Sequence, residues 1–266
     1  MNPILEKFSV LHPGRGEVAL CRLGQHSFLL KLGETLIAVD PYLSNDPNRL
    51  LPPLISPEEL CGVNLVIATH DHGDHIDRPS WPAIAAASPE ALFVVPEAVR
   101  GSIGEVPAAR LRGLNDGERA VYGDIELFGI AAAHEFLDRT EAGLYPYLGY
   151  VIKANGVTLY HSGDCCVYEG LLGRIERHRP EVMLLPINGR DAWRYTHDCI
   201  GNMTWQEAAD LAGWAGAEIA VPAHYDMFSG NTADPLPFLQ YVAAKYPKTT
   251  PRIMNPGEIA ILKVTR

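Results

Sequence analysis

A cluster of histidine and aspartate residues follows an apolar run near residue 68. Residues 68–77 read ATHDHGDHID and place three histidines and three aspartates within ten residues. Imidazole nitrogens and carboxylate oxygens together are typical ligands of Zn²⁺, Mn²⁺, Fe²⁺ or Co²⁺ and less typical of Ca²⁺. Burying this many titratable groups costs free energy unless they are paired or bind a metal. An ordinary apolar core therefore does not explain the cluster. The cluster therefore predicts a metal site.

The spacing within the cluster favours two ions over one. His70 and His72 are two residues apart, so on an extended segment their side chains lie on one side. Gly73 lets the backbone turn sharply, and Asp74 and His75 then arrive from another direction. Four ligands within six residues would strain a single tetrahedral site, whereas they suit two adjacent ions. Each ion would need further ligands from elsewhere in the chain.

Three residues after other apolar runs are candidates for the missing ligands. His134 follows the run DIELFGI, Asp164 ends the stretch LYHSGD, and His224 follows IAVPA. Taken singly, a histidine after a strand is usually a packing or surface residue, and such an aspartate is usually a turn residue. Beside the cluster at 70–75, we predict that all three complete the metal site.

Composition excludes several classes of protein. The chain has 266 residues, 47% of them hydrophobic, a net charge of −10 and five cysteines without CxxC spacing. An acidic chain is a poor binder of nucleic acid, because affinity for polyphosphate comes mostly from Lys and Arg. No apolar run is long enough for a membrane helix, and the first residues lack a secretory signal. We expect a cytoplasmic protein with free thiols and with neither nucleic acid nor membrane as a partner.

The pattern of strands and helices predicts one α/β domain over residues 1–266 with mixed sheets. Many short runs have strand character, and several are apolar throughout, as in strands covered on both faces. Asn155-Gly156 is a two-residue hairpin signal, so part of the sheet is antiparallel. Thr204 and Glu207 form a capping-box pattern at the start of a helix. Further helices are predicted near 79–88, 169–178 and 235–246.

The HxHxDH motif followed by isolated His, Asp and His resembles the metallo-β-lactamase superfamily. The resemblance implies a four-layer αβ/βα sandwich, with two mixed sheets and a dinuclear site at the sheet edges. It implies that the first metal is held by His70, His72 and His134, and the second by Asp74, His75 and His224. Asp164 matches the carboxylate that bridges the two metals. Asp40, at the end of LIAVD, matches an aspartate that orients a ligand histidine.

Three longer stretches resemble a narrower branch of that superfamily. INGRDAWR (187–194), GNMTWQEAADLA (201–212) and VPAHYDMFSGNTADP (221–235) are similar to the branch that contains L-ascorbate-6-phosphate lactonase. This resemblance implies a hydrolase that opens a small anionic lactone with two divalent ions, Mn²⁺ or Zn²⁺, with Fe²⁺ as a further option. A hydroxide bridging the metals would attack the carbonyl carbon, and Asp74 would accept its proton. The natural substrate stays open, and so does the assembly into a homo-oligomer.

Substrate contacts are harder to predict than metal ligands. A sugar-acid lactone or phosphorylated ester needs cations and hydrogen-bond donors, and arginine binds phosphate with two donors at once. The candidates are Asn188, Arg190, Arg194 and Tyr225. For the two arginines, a surface ion pair with Asp191 or Glu207 is an equally good interpretation. Tyr225 is the neighbour of a ligand and is at least as well explained by packing.

Other functions fit the same residues less well. A phosphodiesterase or another ester hydrolase remains open, because two metals also stabilise a phosphoryl transition state. A nuclease is disfavoured by the net charge of −10. A non-catalytic sensor would be expected to lack ligands, and a diiron redox enzyme to show an altered ligand set. A covalent mechanism through Cys165 or Cys166 is disfavoured because free cysteines are usually packing residues.

Overall fold

The structure, a computed structural model, describes residues 2–265 and contains two seven-stranded sheets. The strands of the first half of the chain are β1 (Glu17–Gly24), β2 (Ser27–Leu32), β3 (Thr35–Val39), β4 (Leu65–Ile67), β5 (Leu92–Pro96) and β6 (Leu111–Leu114). Those of the second half are β7 (Arg119–Tyr122), β8 (Ile125–Ala131), β9 (Leu148–Ala154), β10 (Val157–His161), β11 (Val182–Pro186), β12 (Ile219–Ala223), β13 (Thr250–Pro251) and β14 (Ile259–Lys263).

Both sheets are mixed, as predicted. The first has the order β14-β1-β2-β3-β4-β5-β6, and the second has the order β13-β12-β11-β10-β9-β8-β7. In the first sheet, β3, β4, β5 and β6 pair in parallel and the remaining pairs are antiparallel. In the second, β10 to β13 are parallel and β7 to β10 are antiparallel. Each sheet therefore has a parallel half whose strands all end at the same edge.

Helices cover the outer face of each sheet. They are α1 (Pro3–Ser9), α2 (Trp81–Ala87), α3 (Glu97–Arg100), α4 (Leu171–Glu176), α5 (Ala192–Thr196), α6 (Trp205–Ala215) and α7 (Leu236–Lys245). Phe8 and Trp81 pack α1 and α2 against the first sheet. Leu171, Leu211 and Phe238 pack α4, α6 and α7 against the second. The layers are therefore helix, sheet, sheet and helix, which confirms the predicted αβ/βα sandwich.

The apolar strand runs follow from this layering. Phe28 and Leu30 of β2 enter the core between the sheets, where they join Tyr150 and Ile152 of β9. Leu29, between them in sequence, packs on the helical side. Both faces of the strand are thus covered, which is why its sequence does not alternate between apolar and polar residues.

The predicted helices, the capping box and the hairpin turn all form, although the helices are shorter than predicted. The helices predicted near 79–88, 169–178 and 235–246 form as α2, α4 and α7. Thr204 caps α6: its hydroxyl accepts from the Glu207 amide at 3.3 Å, and its own amide donates to Glu207 Oε2 at 2.9 Å. Asn155 and Gly156 both have positive φ, as a type I′ turn requires, and they join β9 to β10.

Candidate metal centre

The predicted ligands lie at the carboxyl ends of strands from both sheets. Asp40 follows β3 and His70 follows β4, while His134, Asp164 and His224 follow β8, β10 and β12. Because parallel strands end at the same edge of a sheet, these loops meet there. The sandwich brings the two edges together, and the side chains form one cluster.

Three histidines form the first ligand group. His70 Nε2 lies 3.0 Å from His72 Nδ1, and His134 Nε2 lies 3.2 Å from the same atom. The three ligand atoms lie within 4.8 Å of one another. Burial lowers the pKa of His70 well below its ordinary value and that of His134 to about 4. These imidazoles are therefore neutral at pH 7, the form that binds a metal.

Asp74, His75 and His224 form the second ligand group. Asp74 Oδ2 lies 3.6 Å from His75 Nε2 and 3.6 Å from His224 Nε2. Asp164 stands between the groups, with Oδ2 at 3.1 Å from His224 Nε2 and 3.8 Å from His134 Nε2. Its Oδ1 is 3.3 Å from His75 Nε2. One carboxylate thus faces ligands of both groups, the position expected of a bridge.

The second group has the electrostatics of a cation site. Burial alone would lower the pKa of His224, but Asp164 and Asp74 raise it to about 9. The same carboxylates raise the pKa of His75 well above its ordinary value against the effect of burial. Burial would raise the pKa of Asp164, yet His224 and His75 bring it well below its usual range. The carboxylates are therefore ionised and stabilise positive charge between them.

The donor set fits divalent metals. His70 Nδ1 lies 3.0 Å from the Thr69 hydroxyl, which donates to Asp40, so this nitrogen donates and Nε2 keeps its lone pair. The lone pair of His70 Nε2 then faces two further imidazole nitrogens of the group, an arrangement that a cation stabilises. Nitrogen and carboxylate ligands together suit Zn²⁺, Mn²⁺ or Fe²⁺. The residues present fit two such ions.

Asp40 orients one of these histidines. It is fully buried and accepts from His75 Nδ1 at 2.7 Å and from the Thr69 amide and hydroxyl at 2.8 Å each. Its φ of 46° is uncommon for a residue with a side chain, and such backbone is found mostly where surrounding contacts hold it. With Nδ1 held by this carboxylate, His75 Nε2 faces Asp74 and Asp164, and the role of Asp40 beside a bound metal stays a prediction.

Two residues of the β1–β2 turn approach the site without having been predicted. Gln25 Nε2 donates to Asp74 Oδ2 at 2.8 Å, and His26 Nδ1 lies 3.7 Å from Asp164 Oδ1. Burial lowers the pKa of His26 to about 4, so it is neutral. His161 supports the turn: Nε2 donates to the His26 carbonyl at 2.9 Å, and Nδ1 accepts from the Gly163 amide at 3.2 Å. No motif in the sequence marks these two turn residues.

The predicted substrate residues are engaged in contacts of their own. Arg190 pairs with Glu207 through both terminal nitrogens, at 2.7 and 2.6 Å. Arg194 pairs with Asp191 and donates to Asn231 Oδ1 at 3.0 Å. The ion-pair interpretation of both arginines thus has direct geometric support, and substrate binding by them stays a prediction.

Asn188 and Tyr225 are also accounted for within the fold. Asn188 is buried, donates to Asn231 Oδ1 at 2.8 Å and accepts from Asn202 Nδ2 at 3.1 Å. Tyr225 packs in the core beneath the second sheet with Arg22 over its ring. To contact a substrate, Asn188 would have to give up one of these hydrogen bonds and Tyr225 would have to leave this packing. Substrate binding by the two residues stays a prediction.

The remaining titratable residues of the motif have structural partners. Asp71 is a loop residue and forms an ion pair with Arg78 at 2.7 Å. Asp77 helps to start α2, because its carbonyl accepts from the Trp81 amide at 3.2 Å and its side chain accepts from the Ser80 hydroxyl at 2.5 Å. Its side chain also accepts from the amides of Leu43 and Ser44 at 2.7 Å each, so it holds the loop after β3 as well. No local pattern marks these two contacts, because the partners are more than thirty residues away in sequence.

The cysteines beside Asp164 are poor nucleophiles. Cys165 and Cys166 are buried. Burial raises the pKa of the Cys165 thiol to about 12 and also raises that of Cys166. Both are therefore thiols at pH 7, whereas the thiolate is the reactive form.

Comparison with known proteins agrees with this geometry. A model of the beta-lactamase superfamily domain matches residues 35–225, a range that includes all seven predicted ligands. The chain belongs to the metallo-β-lactamase superfamily. It is 32% identical over 252 residues to a UPF0173 metal-dependent hydrolase of Aeropyrum pernix, which covers 90% of this chain and 95% of the relative. A UPF0173 relative from Archaeoglobus fulgidus is 31% identical, with coverage of 89% and 95%. This metallo-β-lactamase superfamily member is thus a metal-dependent hydrolase.

A solved structure supports the same fold for this superfamily member. Igni18, a metallo hydrolase from Ignicoccus hospitalis, superposes with a TM-score of 0.74 at 24% identity, and the match covers 94% of this chain and 100% of Igni18.

None of the helices within residues 2–265 has the length and apolar character needed to cross a bilayer.

Proposed function

We propose that this hydrolase opens a small anionic lactone, in the manner of L-ascorbate-6-phosphate lactonase, with two divalent ions held by seven side chains. The observation that carries the proposal is the position of Asp164, within 3.8 Å of ligand atoms of both groups. Two ions held by these groups would lower the pKa of a bound water towards neutral pH. They would also act as a Lewis acid on the carbonyl oxygen of the substrate. No serine or cysteine nucleophile is then required.

Asp74 is the ligand best placed to move a proton. Its side chain is 19% exposed, compared with 5% for Asp164. It lines a cleft of about 480 Å³ together with Tyr42, Asp46 and Phe228. His75 and His224 outweigh burial and lower the pKa of Asp74, so the carboxylate is ionised at neutral pH.

The cleft supports a small substrate. Its volume of about 480 Å³ is within the range of sites for single small molecules. The described residues that line it include three carboxylates, Asp46, Asp74 and Asp77, and no lysine or arginine. The positive charge that attracts a carboxylate or phosphate on the substrate would therefore come from the two divalent ions.

Substrate assays test the proposal directly. Protein loaded with Mn²⁺ is incubated with ascorbate 6-phosphate, with uncharged lactones and with bis-p-nitrophenyl phosphate. We expect ring opening of the anionic lactone, and loss of turnover of at least 10³-fold in Asp164→Ala, since several kcal/mol of transition-state stabilisation depend on the metals. Turnover of the phosphodiester alone would overturn the lactonase proposal and favour a phosphodiesterase.

Metal content tests the dinuclear part separately. After loading with Mn²⁺ or Zn²⁺ and removal of free metal, we expect about two equivalents per chain from the two ligand groups. Fewer than about one equivalent would overturn the dinuclear site.

A further inference from the structure

The turn between β1 and β2 places a glutamine amide inside the second ligand group. Gln25 is 1% exposed. Its Nε2 lies 2.8 Å from Asp74 Oδ2 and 3.0 Å from His224 Nε2. Asp74 Oδ2 also lies 3.6 Å from His224 Nε2 and 3.6 Å from His75 Nε2, so it is the atom that the second ligand group shares. The amide therefore borders the space that a cation of the second group would fill.

The main chain holds this amide in place. Gln25 has a φ of 50°, and its carbonyl accepts from the His224 amide at 2.9 Å. Arg22, itself fixed by Asp226 through contacts of 2.6 and 2.7 Å, donates to the same carbonyl at 3.4 Å. An uncommon backbone conformation with this much support is typical of functional sites. The turn is thus tied directly to the loop that carries His224.

The oxygen of the same amide has no partner. Within residues 2–265, Gln25 Oε1 is buried and makes no hydrogen bond. The two ends of a carboxamide have nearly the same shape, so a half-turn about its last torsion exchanges nitrogen and oxygen. That half-turn brings the oxygen to the position beside Asp74 Oδ2 and His224 Nε2. A carboxamide oxygen is an established type of ligand for divalent cations.

A cation bound in the second group would favour the rotated amide. The hydrogens on Nε2 carry positive partial charge and would face the ion, whereas the oxygen carries negative partial charge and is attracted to it. The attraction of a divalent ion for the oxygen outweighs one hydrogen bond from Nε2 to Asp74. We propose that Gln25 is an additional ligand of the second metal ion through Oε1, and that its amide turns over when the ion binds. This inference rests on the dinuclear site of the proposed function.

Metal titrations of four variants test the proposal. Gln25→Ala and Gln25→Glu are compared with Gln206→Ala and Gln206→Glu, because Gln206 is an exposed glutamine on α6. The full-length chain is stripped of metal and titrated with Mn²⁺ by calorimetry. We expect the second site of Gln25→Ala to weaken at least about tenfold while the first site is unchanged. The Gln206 variants should match the parent protein at both sites.

The glutamate variant separates a ligand from a hydrogen-bond donor. A carboxylate retains an oxygen ligand and has no N–H group, so Gln25→Glu should bind the second ion at least as tightly as the parent protein. If Gln25 served only to donate to Asp74, the new carboxylate would repel Asp74, and binding would be weaker than in Gln25→Ala. That order, or equal affinity in Gln25→Ala and the parent protein, would overturn the proposal.

A crystal structure of the Mn²⁺-loaded parent protein provides an independent readout that needs no variant to fold. Gln25 Oε1 should lie about 2.0–2.2 Å from the second ion, as oxygen ligands of such ions do. A side chain more than about 3 Å from both ions would contradict a ligand role. Failure of the parent protein to bind two ions would instead overturn the dinuclear site itself.

Discussion

The two ligand groups differ in the protons that they carry before a metal binds. Burial lowers the pKa of His134 to about 4, whereas Asp164 and Asp74 outweigh burial and raise that of His224 to about 9. At pH 7 the first group is therefore neutral and the second is protonated. A metal must displace protons from the second group only.

This difference predicts that metal affinity depends on pH at the second site and hardly at all at the first. Because the pKa of His224 is raised, protons compete with the second metal below about pH 9, and affinity should increase as the pH rises towards that value. Affinity for the first metal should be nearly constant above pH 5, since the pKa of His134 is about 4. Calorimetry at pH 7 in buffers of different ionisation enthalpy should detect about one or two protons released by the second ion and none by the first. Equal proton release at both steps would contradict the assignment.

Removing the charge of Asp40 should lower the affinity for the second metal. The Asp40 carboxylate accepts from the Thr69 amide, the Thr69 hydroxyl and His75 Nδ1. In Asp40→Asn one of its oxygens becomes an NH₂ group, which faces another donor, so His75 loses its fixed orientation. We expect a decrease of about 10–100-fold in affinity for the second ion, as for other residues that orient metal ligands. Asp124→Asn, in the exposed turn between β7 and β8, is the matched control and should bind both ions normally. Unchanged affinity in Asp40→Asn would show that Thr69 alone positions His75.

The sequence marks the candidate ligands more clearly than the residues around them. His70, His72, Asp74 and His75 form a recognisable motif because four ligands for two ions fit within one loop. Gln25 could not be predicted, since its contacts with Asp74 and His224 span 49 and 199 residues. A glutamine in a turn also has no pattern that distinguishes it from a solvated one.

Among the loops that carry the ligands, the one after β10 passes close to the one after β4. Gly163, which precedes Asp164, has a φ of 59°, and a Cβ there would meet Thr69 Cβ at 2.7 Å and the Leu148 carbonyl oxygen at 2.8 Å. Glycine is therefore required both by the conformation and by the close approach. The contact fixes the distance between Asp164 and the loop of His70.

Gly163→Ala should destabilise the protein and disturb this contact. The left-handed conformation costs about 1–2 kcal/mol with a side chain, and the overlap adds about 1–3 kcal/mol. Gly123→Ala is the control, because its φ of 61° is similar and a Cβ there meets nothing within 4 Å in the described part of the chain. Urea unfolding should show the larger loss of free energy for Gly163→Ala. Equal losses would mean that the loops adjust without strain.

Whole elements were predicted where a local signal marks them. Asn155-Gly156 and the Thr204–Glu207 capping box are decided by neighbouring residues, and both form as predicted. The short helix α5 was missed because its start depends on Asp191, whose side chain accepts from the Arg194 amide, and no long apolar face follows. The strand β1 carries a weak sequence signal although it is buried almost throughout, because Arg22 interrupts its apolar pattern and finds its partner Asp226 only in the folded chain.

At the scale of the molecule, the site joins the two halves of the sandwich. The cluster at 70–75 follows the first sheet, whereas His134, Asp164 and His224 follow strands of the second. Neither half contains a complete ligand group, because His134 completes the first and His224 completes the second. Metal binding should therefore stabilise the packing of the sheets against each other, besides serving the chemistry.

Removal of metal should accordingly lower the stability of the whole fold. An ion that binds only the native state stabilises it by about 2.7 kcal/mol at one hundred times its Kd, which corresponds to about 5–10 °C in Tm for a chain of this size. We expect protein treated with a chelator to melt at a lower temperature, and the Tm to rise steadily with added Mn²⁺. In Asp164→Asn, which lacks the carboxylate that faces both groups, the same additions should raise the Tm much less. A Tm independent of Mn²⁺ in the parent protein would contradict a site assembled from both sheets.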